Sequence, residues 1–153
     1  MKTLELKIPP PIVTALVGAA MWVAAQRLGA VHSTGSLRFT IAVVCAALGF
    51  IVAFAGFLAF RRAKTTVDAI HPEAASSVVT SGVYSYTRNP MYLGLTAVLV
   101  GWAVWLSVPW VFLGPFALML FLTRFQIIPE ERAMSSKFGP DYDGYRKRVR
   151  RWL

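Results

Sequence analysis

One short polar stretch carries the residues that could do chemistry in an otherwise apolar chain. It runs from Gly82 to Gly94 and reads GVYSYTRNPMYLG. Asn89 is predicted to cap a helix that starts at Pro90, because proline suits the first helical position and an apolar run follows. The N–H groups and positive dipole end of that helix, together with the cation of Arg88, favour a bound carboxylate or phosphate.

The same stretch also has an ordinary structural explanation. Asn-Pro before a helix is common capping chemistry, and tyrosines near a bilayer boundary are common interface anchors. We favour this explanation for Pro90 and Tyr86. It accounts less well for the crowding of Arg88, Tyr84 and Tyr92 at one helix start, so these three residues are predicted to contact a ligand.

A second polar cluster follows the last apolar run. Glu130 and Glu131 come directly after Pro129, and their carboxylates either complement the dipole of a new helix or bind a ligand. Arg124 precedes Glu131 by seven residues, which predicts that both lie on one face of a continuous helix. An arginine at the end of a membrane span is usually an interface anchor, but Arg124 is also a candidate for holding an acidic acceptor or headgroup.

The composition of the chain indicates a membrane protein. Of its 153 residues 56% are hydrophobic, the mean hydropathy is +0.56, and the net charge is +9. The basic residues sit at the ends of apolar runs, which is not the pattern of a nucleic-acid-binding surface. The single cysteine, Cys45, excludes an intrachain disulfide. The two histidines, His32 and His71, lie in separate loops, so no metal site is expected.

The apolar runs predict an all-α membrane protein with four transmembrane helices and a cytosolic C-terminal helical segment. A cleaved signal peptide is the competing interpretation of the first run, and we favour a retained helix. Gly49 and Gly56 are predicted to allow close helix packing in the second span, and Gly114-Pro115 to interrupt the fourth and open a side entrance. The four spans cover about residues 12–28, 37–60, 91–106 and 110–128.

The distribution of basic residues predicts the topology. Fourteen of the 16 lysines and arginines lie in the N-terminal segment, the loop and span ends around residues 61–88, and the region after residue 123. Only Arg27 and Arg38 lie on the opposite side. By the positive-inside rule, both polar clusters and both termini therefore face the cytosol.

The two polar clusters resemble, in content and order, a known superfamily of membrane enzymes. One block runs from Tyr84 to Gly94. The other opens with Pro-Glu-Glu-Arg at Pro129–Arg132 and continues as FGPDYDGYRKRV over Phe138–Val149. Together they are similar to isoprenylcysteine carboxyl methyltransferases and phospholipid methyltransferases, small integral membrane enzymes that use S-adenosylmethionine. The resemblance covers the chain from about Thr65 to its C-terminus.

The resemblance implies one methyltransferase domain over residues 1–153, with cofactor-binding segments at about 82–94 and 124–149. S-adenosylmethionine carries a carboxylate, an ammonium, ribose hydroxyls and a sulfonium, which suit cations, carboxylates and aromatic rings of the protein. S-adenosylhomocysteine is the expected product, and a lipid-like molecule is the expected methyl acceptor. The expected catalytic residues are Arg124 and Glu131, and the expected cofactor-binding residues are Tyr84, Arg88, Asn89, Pro90, Tyr92, Leu93, Gly94, Glu130 and Glu131.

Two positions depart from the pattern of the resembled enzymes. Asn89 stands where they usually have histidine, but an amide can still hydrogen-bond adenine or ribose. The residues from Gln126 to Pro129 lack the arginine that often precedes the paired glutamates, which argues against carboxyl methylation of a prenylated cysteine.

Several functional alternatives stay open. The acceptor group is a carboxylate, an amine, a hydroxyl or a thiol, and the sequence does not determine the oligomeric state. Membrane sterol reductases, which bind a nicotinamide cofactor, resemble the same superfamily in their C-terminal helices but are generally much longer. A non-catalytic membrane subunit is the other alternative. The leading prediction is a membrane methyltransferase that acts at the cytosolic face.

Overall fold

The computed structural model describes residues 5–27, 29, 35–65, 70–71 and 74–153. His32 and the predicted end of the first span at Leu28 lie outside these residues. The described residues contain no β-strand, in agreement with the predicted all-α class. Six α-helices follow in chain order: α1 Pro10–Arg27, α2 Ser36–Arg62, α3 Pro90–Leu106, α4 Leu113–Leu122, α5 Ile128–Phe138 and α6 Pro140–Arg148.

Helix α3 lies at the centre of the helical bundle and contacts α1, α2 and α4. Its closest neighbour is α2, because glycines let the two backbones touch. A Cβ atom built on Gly49 would lie 2.6 Å from the carbonyl oxygen of Gly94, and one on Gly101 would lie 2.7 Å from that of Ala42. Gly56 likewise faces Pro90 and Met91 at the start of α3. The predicted role of Gly49 and Gly56 in close packing is confirmed.

Among the residues that the structure describes, two helical stretches are long and apolar enough to cross a bilayer. They are α2, with 27 residues, and the continuous 30-residue helical stretch Pro109–Phe138. Helix α3 is apolar, but its 17 residues make it shorter than these two. Helix α1 does not satisfy the length and hydropathy requirements together. All four predicted apolar runs form helices, and within the described part of the chain two of them meet the length and hydropathy requirements for a span. The outer face of α2 is strongly apolar and exposed, as Phe50 and Ile51 illustrate.

The irregularity in the last apolar stretch does not lie where the sequence predicted it. Gly114 and Pro115 fall in the first turn of α4. Proline is tolerated there, because a backbone N–H in the first turn has no hydrogen-bond partner within the helix. Gly114 instead permits contact with α1, because a Cβ atom there would collide with the side chain of Met21. The predicted interruption and side entrance at Gly114-Pro115 are therefore wrong. A π-helical turn at Thr123–Ile127 joins α4 to α5.

Candidate active site

The two polar clusters of the sequence meet at one cavity of about 420 Å³. Ligand sites commonly have volumes of about 300–1,000 Å³. The N-terminal segment, the loop before α3, and helices α2, α3, α5 and α6 all contribute to its wall. Its polar and aromatic lining residues are Tyr84, Arg88, Asn89, Tyr92, Glu130, Tyr142 and Tyr145, and its apolar ones include Pro9, Phe60, Val79, Leu95 and Met134.

A buried ion cluster fixes the cationic side of the cavity. Nη2 of Arg88 lies 3.0 Å from Oε1 of Glu131. Arg151 binds the same carboxylate with two hydrogen bonds, from Nε to Oε1 at 3.0 Å and from Nη2 to Oε2 at 2.7 Å. The side chain of Glu131 is only 8% exposed. Glu131 is thus held by two guanidinium groups, and a buried charge needs such partners.

Arg88 has hydrogen-bonding capacity that the described part of the protein does not use. Its side chain is 10% exposed and lines the cavity. Its Nε and Nη1 atoms are buried without a hydrogen-bond partner among the described residues. An unpaired buried N–H group is costly, and more so on a charged group, so these donors indicate a place for an acceptor-bearing ligand.

A second carboxyl group lies on another wall of the cavity. Oη of Tyr92 donates a hydrogen bond to Oε1 of Glu130, and Nε2 of Gln126 donates to the same oxygen at 3.0 Å. Tyr92 lies on α3, whereas Gln126 belongs to the π turn and Glu130 to α5. These bonds join the two sequence clusters directly and orient the carboxyl group at the cavity surface.

The C-terminal segment holds the loop that precedes α3. The backbone N–H of Arg88 donates to the carbonyl oxygen of Arg150 at 3.0 Å. Nδ2 of Asn89 donates to the carbonyl oxygen of Arg151 at 2.9 Å. Asn89 does stand directly before α3, but its side chain makes no capping hydrogen bond. The predicted capping by Asn89 is therefore wrong: Nδ2 is held by Arg151, and Oδ1 accepts no hydrogen bond from the first turn of α3.

Tyrosines on α6 complete the cavity. Oη of Tyr145 donates to the carbonyl oxygen of Tyr84 at 2.7 Å, which fixes the 3₁₀ turn Gly82–Ser85. Burial raises the pKa of Tyr142 to about 12 and raises the pKa of Tyr84 and Tyr145 above the usual range. The three hydroxyl groups thus stay protonated even above the usual tyrosine pKa, and that of Tyr145 donates its hydrogen bond to Tyr84.

An apolar groove adjoins the cavity. It has a volume of about 760 Å³ and lies between α1 and α2 over the side of α3. Pro11 and Leu95 line both the groove and the cavity, so the two spaces are neighbours. On one wall Nε1 of Trp102 donates to the carbonyl oxygen of Gly18 at 3.1 Å. The groove is thus an apolar surface that leads to a polar site.

Comparison with known proteins identifies the family of the chain. A family model described as phospholipid methyltransferase matches residues 37–141, which is more than half of the chain. The chain belongs to the phospholipid methyltransferase family. The matched region of this family member contains the loop before α3, the π turn and both glutamates. The predicted superfamily is confirmed.

The individual relatives are either distant in sequence from this chain or shorter than it. Two proteins from Oryza sativa, of the subspecies indica and japonica, each bear the name "Probable protein-S-isoprenylcysteine O-methyltransferase" and are 31% identical over 112 residues. The alignment covers 71% of this chain and 57% of theirs. A Haemophilus influenzae protein, "Uncharacterized protein", is 43% identical over 63 residues, 41% of this chain and its own entire length. No solved structure matches the chain.

The structure of this phospholipid methyltransferase family member brings most of the predicted site residues together. Tyr84, Arg88, Asn89, Tyr92 and Glu130 line the cavity, and Glu131 pairs with Arg88.

Three further residues predicted to bind the cofactor are not among those lining the cavity. Pro90 begins α3 and is fully buried, while Leu93 follows one turn later. Gly94 faces α2, where a Cβ atom would lie 2.7 Å from that of Ala53.

Arg124 lies apart from this group. Its Nη1 atom contacts Oε1 of Glu5 at 2.9 Å, and its guanidinium carbon lies 5.4 Å from the centre of the Phe125 ring. The π turn adds a residue to the helix between Arg124 and Glu131, so the spacing of seven no longer keeps both on one face. The prediction that these two residues lie on one helix face is therefore wrong.

Arg124 instead helps to hold the N-terminal segment. Glu5 also pairs with Arg132, and the hydrogen bond from Arg124 holds the pKa of Glu5 below its usual value. The N–H of Leu6 donates to the carbonyl oxygen of Phe125 at 3.1 Å. These contacts place the prolines that follow against the cavity.

Sequence reasoning did not single out Tyr142 and Tyr145, which line the cavity, or Arg151, which binds Glu131. Arg151 belongs to a basic C-terminal run of the kind that usually faces solvent and anionic lipid headgroups, yet it binds the buried Glu131. It lies beyond the family match, and nothing in its spacing distinguishes it from the other arginines of that run.

Proposed function

We propose that the protein is an S-adenosylmethionine-dependent methyltransferase that transfers a methyl group to a lipid-like acceptor at the cytosolic membrane face. The observation that carries this proposal is the meeting of Arg88 and Tyr92 with Glu130 at one cavity, in a member of a methyltransferase family. The basic residues concentrated around the cavity support the cytosolic side.

The lining residues fit the chemical groups of S-adenosylmethionine. The unpaired N–H groups of Arg88 suit the carboxylate of its amino acid part. Glu130 suits the ammonium or the ribose hydroxyls, and the rings of Tyr84 and Tyr92 suit the adenine or the sulfonium. When bound, this cofactor supplies an electrophilic methyl group for in-line displacement.

The protein's own contribution is alignment and exclusion of water. Direct hydrogen bonds fix Tyr92 and Glu130 relative to each other, and Glu131 fixes Arg88. Preorganised groups of this kind contribute to catalysis by holding the reactants in a productive geometry. We assign Glu131 a positioning role, because the guanidiniums of Arg88 and Arg151 occupy its carboxylate, and we assign Arg124 to holding the N-terminal segment.

The groove beside the cavity supports a lipid-like acceptor. An acyl or isoprenoid chain would bury its apolar surface along α3, with its reactive end near Pro11 and Leu95. The cavity beyond these residues contains the polar side chains.

The direct test of the proposed function is ligand-induced stabilisation of the detergent-purified protein. We expect S-adenosylhomocysteine to raise the thermal unfolding temperature, since a ligand that binds only the folded state stabilises it. NADPH should leave it unchanged. Stabilisation by NADPH alone would contradict methyl transfer and favour a nicotinamide-dependent reductase.

A further inference from the structure

We propose that Arg151 is a positioning residue that occupies Glu131 so that Arg88 keeps N–H donors for an oxyanion of the bound ligand. This inference rests on the proposed function, and the oxyanion we assign is the carboxylate of the cofactor. Arg151 is not among the residues that line the cavity. It therefore acts through Glu131 and Arg88.

The division of hydrogen bonds within the cluster carries this inference. Arg151 takes both carboxylate oxygens of Glu131 in a two-pronged contact, the geometry in which guanidinium binds carboxylate best. Arg88 contacts the same carboxylate through Nη2 only. Its Nε and Nη1 atoms stay buried without partners in the described part of the chain. Without Arg151, the carboxylate would be open to a two-pronged contact with Arg88.

The charge of the cluster points the same way. Two guanidinium groups share the single carboxylate of Glu131, so the three side chains carry one net positive charge. Arg88 and Glu131 are both about nine-tenths buried. An unbalanced buried charge is costly, and a ligand oxyanion beside Arg88 would balance it.

The C-terminal segment is built to hold Arg151 in this position. The backbone carbonyl oxygen of Arg151 accepts a hydrogen bond from Nδ2 of Asn89 and another, at 3.3 Å, from Oγ1 of Thr87. The next residue, Trp152, donates from Nε1 to Oγ1 of Thr123 at 3.2 Å. The segment therefore binds both the loop before α3 and the π turn.

The test compares two ligands that differ in one group. Their affinities are measured by calorimetry on the detergent-purified full chain, with S-adenosylhomocysteine and with S-adenosyl-3-thiopropylamine, which lacks only the carboxylate. We expect Arg151→Ala to weaken S-adenosylhomocysteine binding about tenfold, which corresponds to one charge-assisted hydrogen bond. Binding of the decarboxylated analogue should change less than about twofold.

Matched variants separate positioning from folding. Arg150→Ala is the control, because the structure shows that residue using its backbone carbonyl to bind the loop. The Arg151→Lys variant keeps the positive charge, so its affinity for S-adenosylhomocysteine should fall less than that of Arg151→Ala. It provides a second test of the inference if Arg151→Ala fails to fold. In a Glu131→Gln background, Arg151→Ala should have little further effect on the preference for the carboxylate ligand.

Several outcomes would overturn the inference. Equal weakening of both ligands would show a general structural role for Arg151, and no weakening of either would show no role. Loss of affinity for a short-chain phospholipid with unchanged S-adenosylhomocysteine binding would assign the oxyanion to a lipid phosphate. These results leave the proposed methyltransferase function intact. A wild-type protein that binds no S-adenosylhomocysteine would instead refute the proposed function together with this inference.

Discussion

Substitution of Arg88 by alanine should separate ligand binding from folding. In the folded protein Glu131 would still hold its two hydrogen bonds with Arg151, so its charge would not be left without a partner. The loss of folding stability should therefore be about 1–2 kcal/mol, less than the 3–5 kcal/mol typical of breaking an isolated buried ion pair.

The loss of ligand affinity should be larger. Nε and Nη1 of Arg88 are two buried donor atoms of this side chain that have no hydrogen-bond partner among the described residues. If each makes one charge-assisted hydrogen bond to the ligand, removing both costs at least about 3 kcal/mol, because such bonds contribute about 1.5–3 kcal/mol each. That corresponds to about a hundredfold weaker binding.

Calorimetric titration of S-adenosylhomocysteine into wild-type protein and the Arg88→Ala variant measures this difference. Lys147→Ala, on the exposed face of α6, is the control and should bind like the wild type. A change of less than about threefold for Arg88→Ala, in a variant that is folded, would refute the assignment of Arg88 to the ligand.

Three further predictions concern the joined clusters, the helix interface and the groove. Tyr92→Phe removes a hydrogen bond to Glu130 and should lower the methyl-transfer rate about fivefold or more, since a lost hydrogen bond costs about 1 kcal/mol; kcat is the measurement. Gly94→Ala forces α2 and α3 apart and should lower the free energy of unfolding by about 1–3 kcal/mol, measured by thermal unfolding. Gly144→Ala, which places its methyl group in open space, is the control and should not destabilise the protein; equal effects of the two variants would contradict close packing at Gly94. Ala15→Phe in the groove should raise the KM for a long-chain acceptor about tenfold and leave the affinity for S-adenosylhomocysteine unchanged. An unchanged KM would show that the acceptor does not bind in the groove.

The sequence predicts the helices and the meeting of the two polar clusters. Helix α3 follows from Pro90 and the apolar run behind it, and all four apolar runs form helices. The resemblance of the two motif blocks to a methyltransferase superfamily predicts that both contribute to one site, and the contact between Arg88 and Glu131 agrees with it. These features depend on local periodicity and on motifs, which a single sequence carries.

Other features of the site depend on contacts between distant segments, which a single sequence does not reveal. Asn89 stands at the capping position, but its Nδ2 donates to a carbonyl oxygen 62 residues later and its Oδ1 makes no capping hydrogen bond. The π turn shifts the helix register, so Arg124 pairs with Glu5 rather than sharing a face with Glu131. Arg151 is one of several arginines in a basic run, and only its tertiary position selects it.

The most direct test of the central claim is transfer of a radiolabelled methyl group from S-adenosylmethionine to membranes that contain the protein. We predict that label enters the organic-solvent extract with the wild-type protein and with Lys147→Ala. It should stay near background with Arg88→Ala when the cofactor is not saturating. Absence of label in the lipid extract with the wild-type protein, or equal labelling with Arg88→Ala, would contradict a methyl-donor site at the cavity between α3 and α5.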